Sequence, residues 1–190
     1  MLGLAIFTTG LIAIAILVTY PKLPPLDSLQ HYQPKMPLTI YSADGQIIGV
    51  YGEQRREFTK INDFPDILKN AVIAAEDKRF YEHWGVDVWG IARAAISNIV
   101  AGGVQSGAST ITQQVAKNFY LSSERTFTRK FNEALLAYKI EQSLSKDKIL
   151  ELYFNQIYLG QRAYGFASAA QIYFNKNVKD LTLAEAAMLA

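Results

Sequence analysis

The sequence predicts a mainly α-helical domain, preceded by an apolar helix and a small β-hairpin. Three observations carry that prediction. From Pro65 onward, apolar residues recur at helical spacing. Upstream, Asp44-Gly45 separates two short β-rich runs. Met1 to Tyr20 contains no charged side chain, and fifteen of its twenty residues are apolar. The other 170 of the 190 residues hold all 19 basic and 17 acidic groups, a net charge of +2. That balance gives no sign of nucleic-acid binding. Cysteine is absent, which removes disulfides, thiolate metal sites and a cysteine nucleophile. Two histidines, His31 and His83, are too few and too far apart for HExxH metal chemistry.

Residues 1–20 read as a transmembrane anchor. Twenty helical residues rise about 30 Å, the thickness of a bilayer's hydrocarbon core. A cleaved signal peptide is the rival, but no Lys or Arg precedes the run and no small-x-small site closes it. Tyr20 and Lys22 would lie at the interface. Residues 21–59 read as spacer and hairpin. Five of the six prolines fall in 21–37, which predicts an extended, semi-rigid link. Leu38–Tyr41 and Gln46–Tyr51 are the hairpin strands, and a third short strand is expected near Arg56–Thr59. Residues 60–190 form the main domain, with helices expected near 66–76, 86–100, 110–119, 126–143, 147–158, 163–174 and 181–190. Thr182 and Glu185 make a capping box. Ala190 lies inside an apolar helical pattern, so the chain is expected to continue in a longer protein. The glycine-rich stretch 101–109 is expected to be a mobile loop.

Ionisable and aromatic groups concentrate in Glu76-Asp-Lys-Arg-Phe-Tyr-Glu-His-Trp-Gly85. If the helix runs through it, Glu76, Phe80 and His83 share one face. A carboxylate beside an aromatic ring and the apolar run 71–75 would be desolvated and more basic. The plainer reading is a helix end with surface ion pairs. Gly107-Ala-Ser-Thr-Ile-Thr-Gln-Gln-Val-Ala-Lys-Asn118 contains a capping box, Thr110 with Gln113. That box leaves Gln114 and Lys117, on the face of Thr110, unexplained. A glycine-rich loop entering a helix with a following Lys also suits a phosphate, although it is not a Walker A loop. Arg125, Arg129 and Glu133 repeat every four residues, with Lys130 beside them. This is either a solvated charged stripe or a cationic diphosphate site.

Glu-Asp-x-x-Phe-x-x-His-x-Gly at 76–85 resembles the first signature of the peptidoglycan glycosyltransferases. These are the transglycosylase domains of class A penicillin-binding proteins and of monofunctional enzymes. Residues 107–118 and 125–133 resemble the second and third signatures. Lys148 to Gly160, continued by Tyr164-Gly165 and Ala169-Ala170, resembles the fourth, and Leu181 to Ala190 the fifth. The resemblance covers about residues 60–190.

It implies a lysozyme-like helical fold and polymerisation of lipid II into β-1,4-linked glycan strands. The donor is the growing strand on undecaprenyl diphosphate, and lipid II is the acceptor. An α-linked donor and a β-linked product mean one inversion and no covalent intermediate. Glu76 would be the base that deprotonates the acceptor 4-hydroxyl. Asp77 and His83 would orient it or brace the helix. Lys117, Arg125, Arg129 and Lys130 would neutralise the leaving diphosphate. Glu133 would complete the donor site, with a divalent cation (Mg or Mn) compatible there but not required. Phe80, Ser109, Thr110, Gln113, Gln114 and Asn118 are the remaining expected substrate contacts. Glu151, Tyr153 and Asn155 read equally as buried structural groups.

The expected partners are lipid II, the glycan strand, membrane lipid and other cell-wall synthesis proteins, with no nucleic acid. The expected place is the bacterial cytoplasmic (inner) membrane, crossed once, with the catalytic domain on the periplasmic or outer face. The apolar stretch Trp84–Val104 would either dip into lipid or pack in the core. A glycan-cleaving enzyme is the nearest rival, yet it has no need for a cationic cluster, because its leaving group is a sugar. A non-catalytic wall scaffold is the other. Ser143-x-x-Lys146 and Ser145-x-x-Lys148 formally match the transpeptidase Ser-x-x-Lys, but no Lys-Thr-Gly accompanies them, so both read as helix-end residues.

Overall fold

The computed structural model describes residues 2–30, 32, 38–51, 55–103, 107–121 and 126–190. The first helix, α1 (Leu2–Thr19), is uncharged and runs into a 3₁₀ turn at Tyr20–Lys22. Eighteen residues rise about 27 Å. Among the described residues no helix is long and apolar enough to cross a membrane, so the fold alone does not establish an anchor.

The expected extended spacer is corrected. A short helix, α2 (Asp27–Gln30), interrupts it. Leu23, Leu26 and Leu29 are buried in the main hydrophobic core, with Leu29 fully inaccessible. These leucines recur every three residues and give one side of the segment an apolar face. Lys139 fastens the same segment, donating from Nζ to the carbonyls of Leu23 and Pro24 at 3.5 and 3.0 Å. Pro34 and Pro37 lie outside the described residues.

The hairpin is present. Strands β1 (Leu38–Tyr41) and β2 (Ile47–Tyr51) pair antiparallel, Leu38 opposite Tyr51, with an irregularity at Ile40/Tyr41. Gly45 takes φ +80°, which its turn requires. The third strand, β3 (Arg55–Arg56), pairs in parallel with β4 (Ala163–Tyr164).

Seven helices follow: α3 (Asp66–Glu76), α4 (Val88–Val100), α5 (Ile111–Tyr120), α6 (Phe127–Ser143), α7 (Lys146–Gln156), α8 (Phe166–Phe174) and α9 (Leu183–Leu189). One expectation fails here. The helix expected from 163 starts only at Phe166. Gln161, Arg162 and Gly165 have φ of +46°, +62° and +85°, so the chain turns through 160–165 and leaves Ala163–Tyr164 as strand. The helix expected over 66–76 is found with those bounds: it stops at Glu76 and does not run on to His83. Asp77 leaves helical geometry at φ −155°, ψ 73°, and residues 77–85 form turns closed by Gly85 at φ +90°.

The core sits around α7, whose residues Ile149 to Asn155 are all buried. Phe154 meets Phe64 edge-on and Phe166 at a tilt, with centroids 4.9 and 4.6 Å apart. Two polar residues on this helix hold an incoming strand. Asn155 accepts from Thr59 N (2.9 Å) and donates to Thr59 O (2.8 Å), and Glu151 accepts from Ile61 N (3.1 Å). The structural reading of Glu151 and Asn155 is therefore the one observed. Ser143 and Ser145 are helix-end residues too: Ser143 Oγ donates to Lys139 O, and Ser145 caps α7.

Candidate active site

Two helix ends meet at the site. The carboxyl end of α3 brings Glu76, and the amino end of α5 brings Thr110 and the bonds that follow it. Between them opens a cleft of about 210 Å³, lined among others by Glu76, Lys78, Asp87, Arg93, Ser109 and Thr110.

Glu76 is exposed, so the expected desolvated carboxylate is not found. Because α3 ends at this residue, its side chain projects past the apolar run instead of lying against it. Gln114 on α5 donates to Glu76 Oε2 at 2.6 Å. Tyr153 is buried nearby. Its hydroxyl is pushed well above the ordinary phenol range, first by burial and then by the charge of Glu76, against a hydrogen bond with Gln114. Tyr153 thus belongs to the floor beneath the carboxylate, whereas Glu151 and Asn155 belong to the scaffold.

Asp77, one residue on, is buried and holds the two helix ends together. Its Oδ2 accepts from the backbone N of Ile111 at 3.0 Å, and His83 Nε2 lies 2.9 and 3.0 Å from its two oxygens. His83 Nδ1 accepts from Gly85 N at 3.2 Å, which assigns the ring proton to Nε2 and makes His83 the donor to Asp77. Thr110 Oγ1 donates to Gly85 O at 2.6 Å, while Thr110 and Gln113 form the expected capping box. Phe80 is fully buried, edge-on to His83, with Lys146 Nζ 4.6 Å from its ring centroid. Phe80, His83 and Gln113 therefore support the cleft from behind. Phe80 has no accessible surface, and Gln113 and His83 keep only 2% and 7%.

On α6, Thr126 caps the helix by accepting from Arg129 N. Glu133 is buried and pairs with Arg129 Nη1 at 2.5 Å and with Lys130 Nζ. Lys130 Nζ also donates to Ser109 Oγ at 2.9 Å, so these cations reach the wall of the Glu76 cleft. Arg125 lies outside the described residues. Lys117 and Asn118 are exposed on the last turns of α5. The site suits an anion better than a metal. Both Glu133 oxygens are engaged by cations, and among the described residues no cluster of three acidic or histidine side chains exists. A divalent ion held by protein ligands alone does not fit here.

Sequence reasoning missed a second, partly buried network. Thr112 Oγ1 donates to Glu141 Oε1 at 2.6 Å, and Lys146 Nζ bridges Glu141 and His83 O at 2.7 Å each. It ties α5, α6 and α7 to the 77–85 turns. Thr112 and Glu141 are 29 residues apart, and nothing in their local spacing signals the pairing.

The domain is mainly helical, and its cleft joins a carboxylate to a cationic wall. The family model described as Transglycosylase matches residues 44–190, and the chain belongs to that family. Its relatives include Penicillin-binding protein 1A of Neisseria cinerea, 88% identical over 100% of this chain. The protein of the same name from Neisseria gonorrhoeae is 87% identical over 99%, and that from Pseudomonas aeruginosa 51% identical over 93%. The chain spans about a quarter of the length of these relatives: 24% of the Neisseria proteins and 21% of the Pseudomonas one. A crystal structure of Penicillin-Binding Protein 1A from Haemophilus influenzae aligns with 83% of this chain and 14% of that one, at 30% identity and a TM-score of 0.40.

Proposed function

We propose that this chain is a peptidoglycan glycosyltransferase that polymerises lipid II by an inverting single displacement and releases undecaprenyl diphosphate. One observation carries the reading beyond family membership: Ser109 lines the Glu76 cleft and is bonded to Lys130. The carboxylate and the cations thus share one wall. Glu76, solvent-accessible and aimed by Gln114, takes the proton from the acceptor 4-hydroxyl. Asp77 and His83 hold the helix end that carries it. Arg129 and Lys130, with Lys117 and Arg125, neutralise the diphosphate as it leaves. Glu133 positions the first two, because its buried carboxylate fixes both side chains. No step requires a metal.

Membrane attachment belongs to the same proposal. The uncharged α1 is the anchor, with Tyr20 and Lys22 at the interface. Trp84, Val88, Trp89, Ile96, Ile99 and Val100 are exposed on and before α4, which suits contact with lipid. The catalytic domain then faces the periplasm or exterior, where the glycan is laid down.

The test is polymerisation of purified lipid II in detergent by the chain and by its Glu76→Gln variant. Polymer from the former and none from the latter is expected. Equal activity removes Glu76 as base. Cleavage of finished strands in place of polymer establishes the glycan-cleaving reading instead.

A further inference from the structure

An apolar stripe runs along α6 on the side that the core does not use. Leu136, Ala137 and Ile140 are the helix's buried apolar residues, with Glu133 buried beside them. Phe127, Phe131, Leu135 and Tyr138 stand at i, i+4, i+8 and i+11, on the opposite side. A surface helix normally turns polar residues that way. Phe127 is 97% exposed and Tyr138 47%, while Phe131 and Leu135 are half-buried. At its far end the stripe meets α1. There Leu135 and Tyr138, with Ile16 and Tyr20, line an apolar groove of about 440 Å³. We infer that the stripe and the groove bind the prenyl chain of the lipid-linked donor and lead it from its diphosphate to the bilayer; this rests on the function proposed above.

The occupant follows from where the stripe begins and ends. Phe127 opens α6, with Arg129 and Lys130 two and three residues on. Phe127 and Lys130 are neighbours on the helix surface at that spacing. These cations are the proposed site of the leaving diphosphate, and the donor's chain is bonded to that diphosphate. Tyr138 stands beside α1, the proposed anchor, where a hydrocarbon chain passes into lipid. The two ends lie about 16 Å apart along the axis. A prenyl chain crossing that distance in water would expose apolar surface at every carbon, and the stripe covers it. A phospholipid of the bilayer needs only the end at α1 and leaves Phe127 without a partner. The accessible surface of the groove is wholly apolar, so it fits a hydrocarbon and not a headgroup or a sugar. The groove is also built in advance, because Lys139 of α6 is bonded to the carbonyls of Leu23 and Pro24, just past α1.

The experiment measures binding, to the full chain in detergent, of a lipid II whose 4-hydroxyl is capped so that it serves only as donor. Two forms are compared, one with the full undecaprenyl chain and one with a single isoprene unit, which cannot reach α1. Tyr138→Ser should weaken the full-length form about tenfold, the loss of about 50 Å² of apolar contact, and leave the single-unit form within about twofold. Phe127→Ser, at the other end, should weaken the full-length form as well. Both side chains are exposed, so neither substitution opens the core. An equal loss for both forms, or none for either, overturns the inference. A loss at Tyr138 without one at Phe127 overturns it too, because the chain then does not follow the stripe. A diazirine on an early isoprene unit gives a second readout on the unaltered chain. It should label α1 and α6, and label confined to α4 places the prenyl chain on that apolar face instead. A Tyr138→Ser defect seen only in phospholipid vesicles, and not in detergent, assigns the groove to acyl chains and overturns the inference. In each of these cases the proposed function stands. If the unaltered chain makes no polymer from lipid II, the function falls, and this assignment with it.

Discussion

Asp77→Asn isolates the junction of the two helix ends. The carboxylate serves two donors, Ile111 N at 3.0 Å and His83 Nε2 at 2.9 and 3.0 Å, and its side chain is only 3% exposed. An amide oxygen at the Oδ2 position keeps both bonds. It then sets the amide NH₂ 3.0 Å from the protonated Nε2, a donor facing a donor. Reversing the amide loses Ile111 N. Moving the ring proton to Nδ1 sets it against Gly85 N–H, which now donates to that nitrogen at 3.2 Å. One buried donor is left unsatisfied in every arrangement, at a cost of about 1–3 kcal/mol. For a chain of this size, each kcal/mol lowers Tm by about 2–4 °C, so the variant should melt about 2–12 °C lower. Circular dichroism of the full chain in detergent reads this. The decisive comparison repeats the substitution in a His83→Ala background, where the opposing donor is gone and the loss should shrink to under about 1 kcal/mol. An equal drop in both backgrounds, or none in either, refutes the assignment of Asp77 as the acceptor for His83.

Further outcomes follow from the same geometry. Gly85→Ala should be destabilising by at least about 2 kcal/mol: φ is +90°, and an added Cβ would stand 2.8 Å from the backbone C and O of Ala137. Its Tm, compared with that of Gly45→Ala, whose Cβ would meet nothing within 4 Å, separates the clash from the strain of a positive φ. Leu29→Ala should lose about 2–5 kcal/mol by denaturant midpoint, because the side chain is fully buried; a loose spacer would show almost none. Glu185 is held at about 2, chiefly by the hydrogen bond from Lys176 and then by those from Thr182 N and Oγ1. A depressed carboxylate stabilises the fold above its ordinary range and loses that stabilisation as pH falls through its folded value. The Tm difference between wild type and Glu185→Gln should therefore be constant above about pH 4.5 and vanish near pH 2.

Local chemistry was legible in the sequence. Thr110 with Gln113 and Thr182 with Glu185 mark helix starts because a capping box involves only residues three apart, and Asp44-Gly45 marks its turn for the same reason. The reading failed where a distant partner decides. Periodicity ended α3 at the right residue but could not tell that Asp77, just beyond it, would accept from Ile111 N, 34 residues away. Five prolines suggested an extended link, and they outweighed three leucines whose spacing matched a buried face. At the site, the motif residues came in the right order, but their burial did not show. Glu76 is exposed at a helix end, the plainer of the two readings, and Phe80 and His83 are buried beneath it.

The burial pattern bears on how such a site can work. A base that must meet a sugar hydroxyl gains from exposure, provided something other than desolvation aims it. Gln114 supplies that aim, and it stands on the helix that Asp77 and Thr110 hold in place. The cations face the opposite demand, since long side chains in water lose their geometry. Glu133 meets it by being buried and gripping two of them. The same helix also holds the segment that follows α1. Lys139 lies ten residues beyond Arg129 on α6, about 15 Å along the axis, and grips Leu23 and Pro24 just past α1. With α1 as the anchor proposed above, one helix would set the height of the proposed diphosphate site above the bilayer. A lipid-linked donor needs that fixed height, because its diphosphate can move in the plane of the membrane but not far out of it.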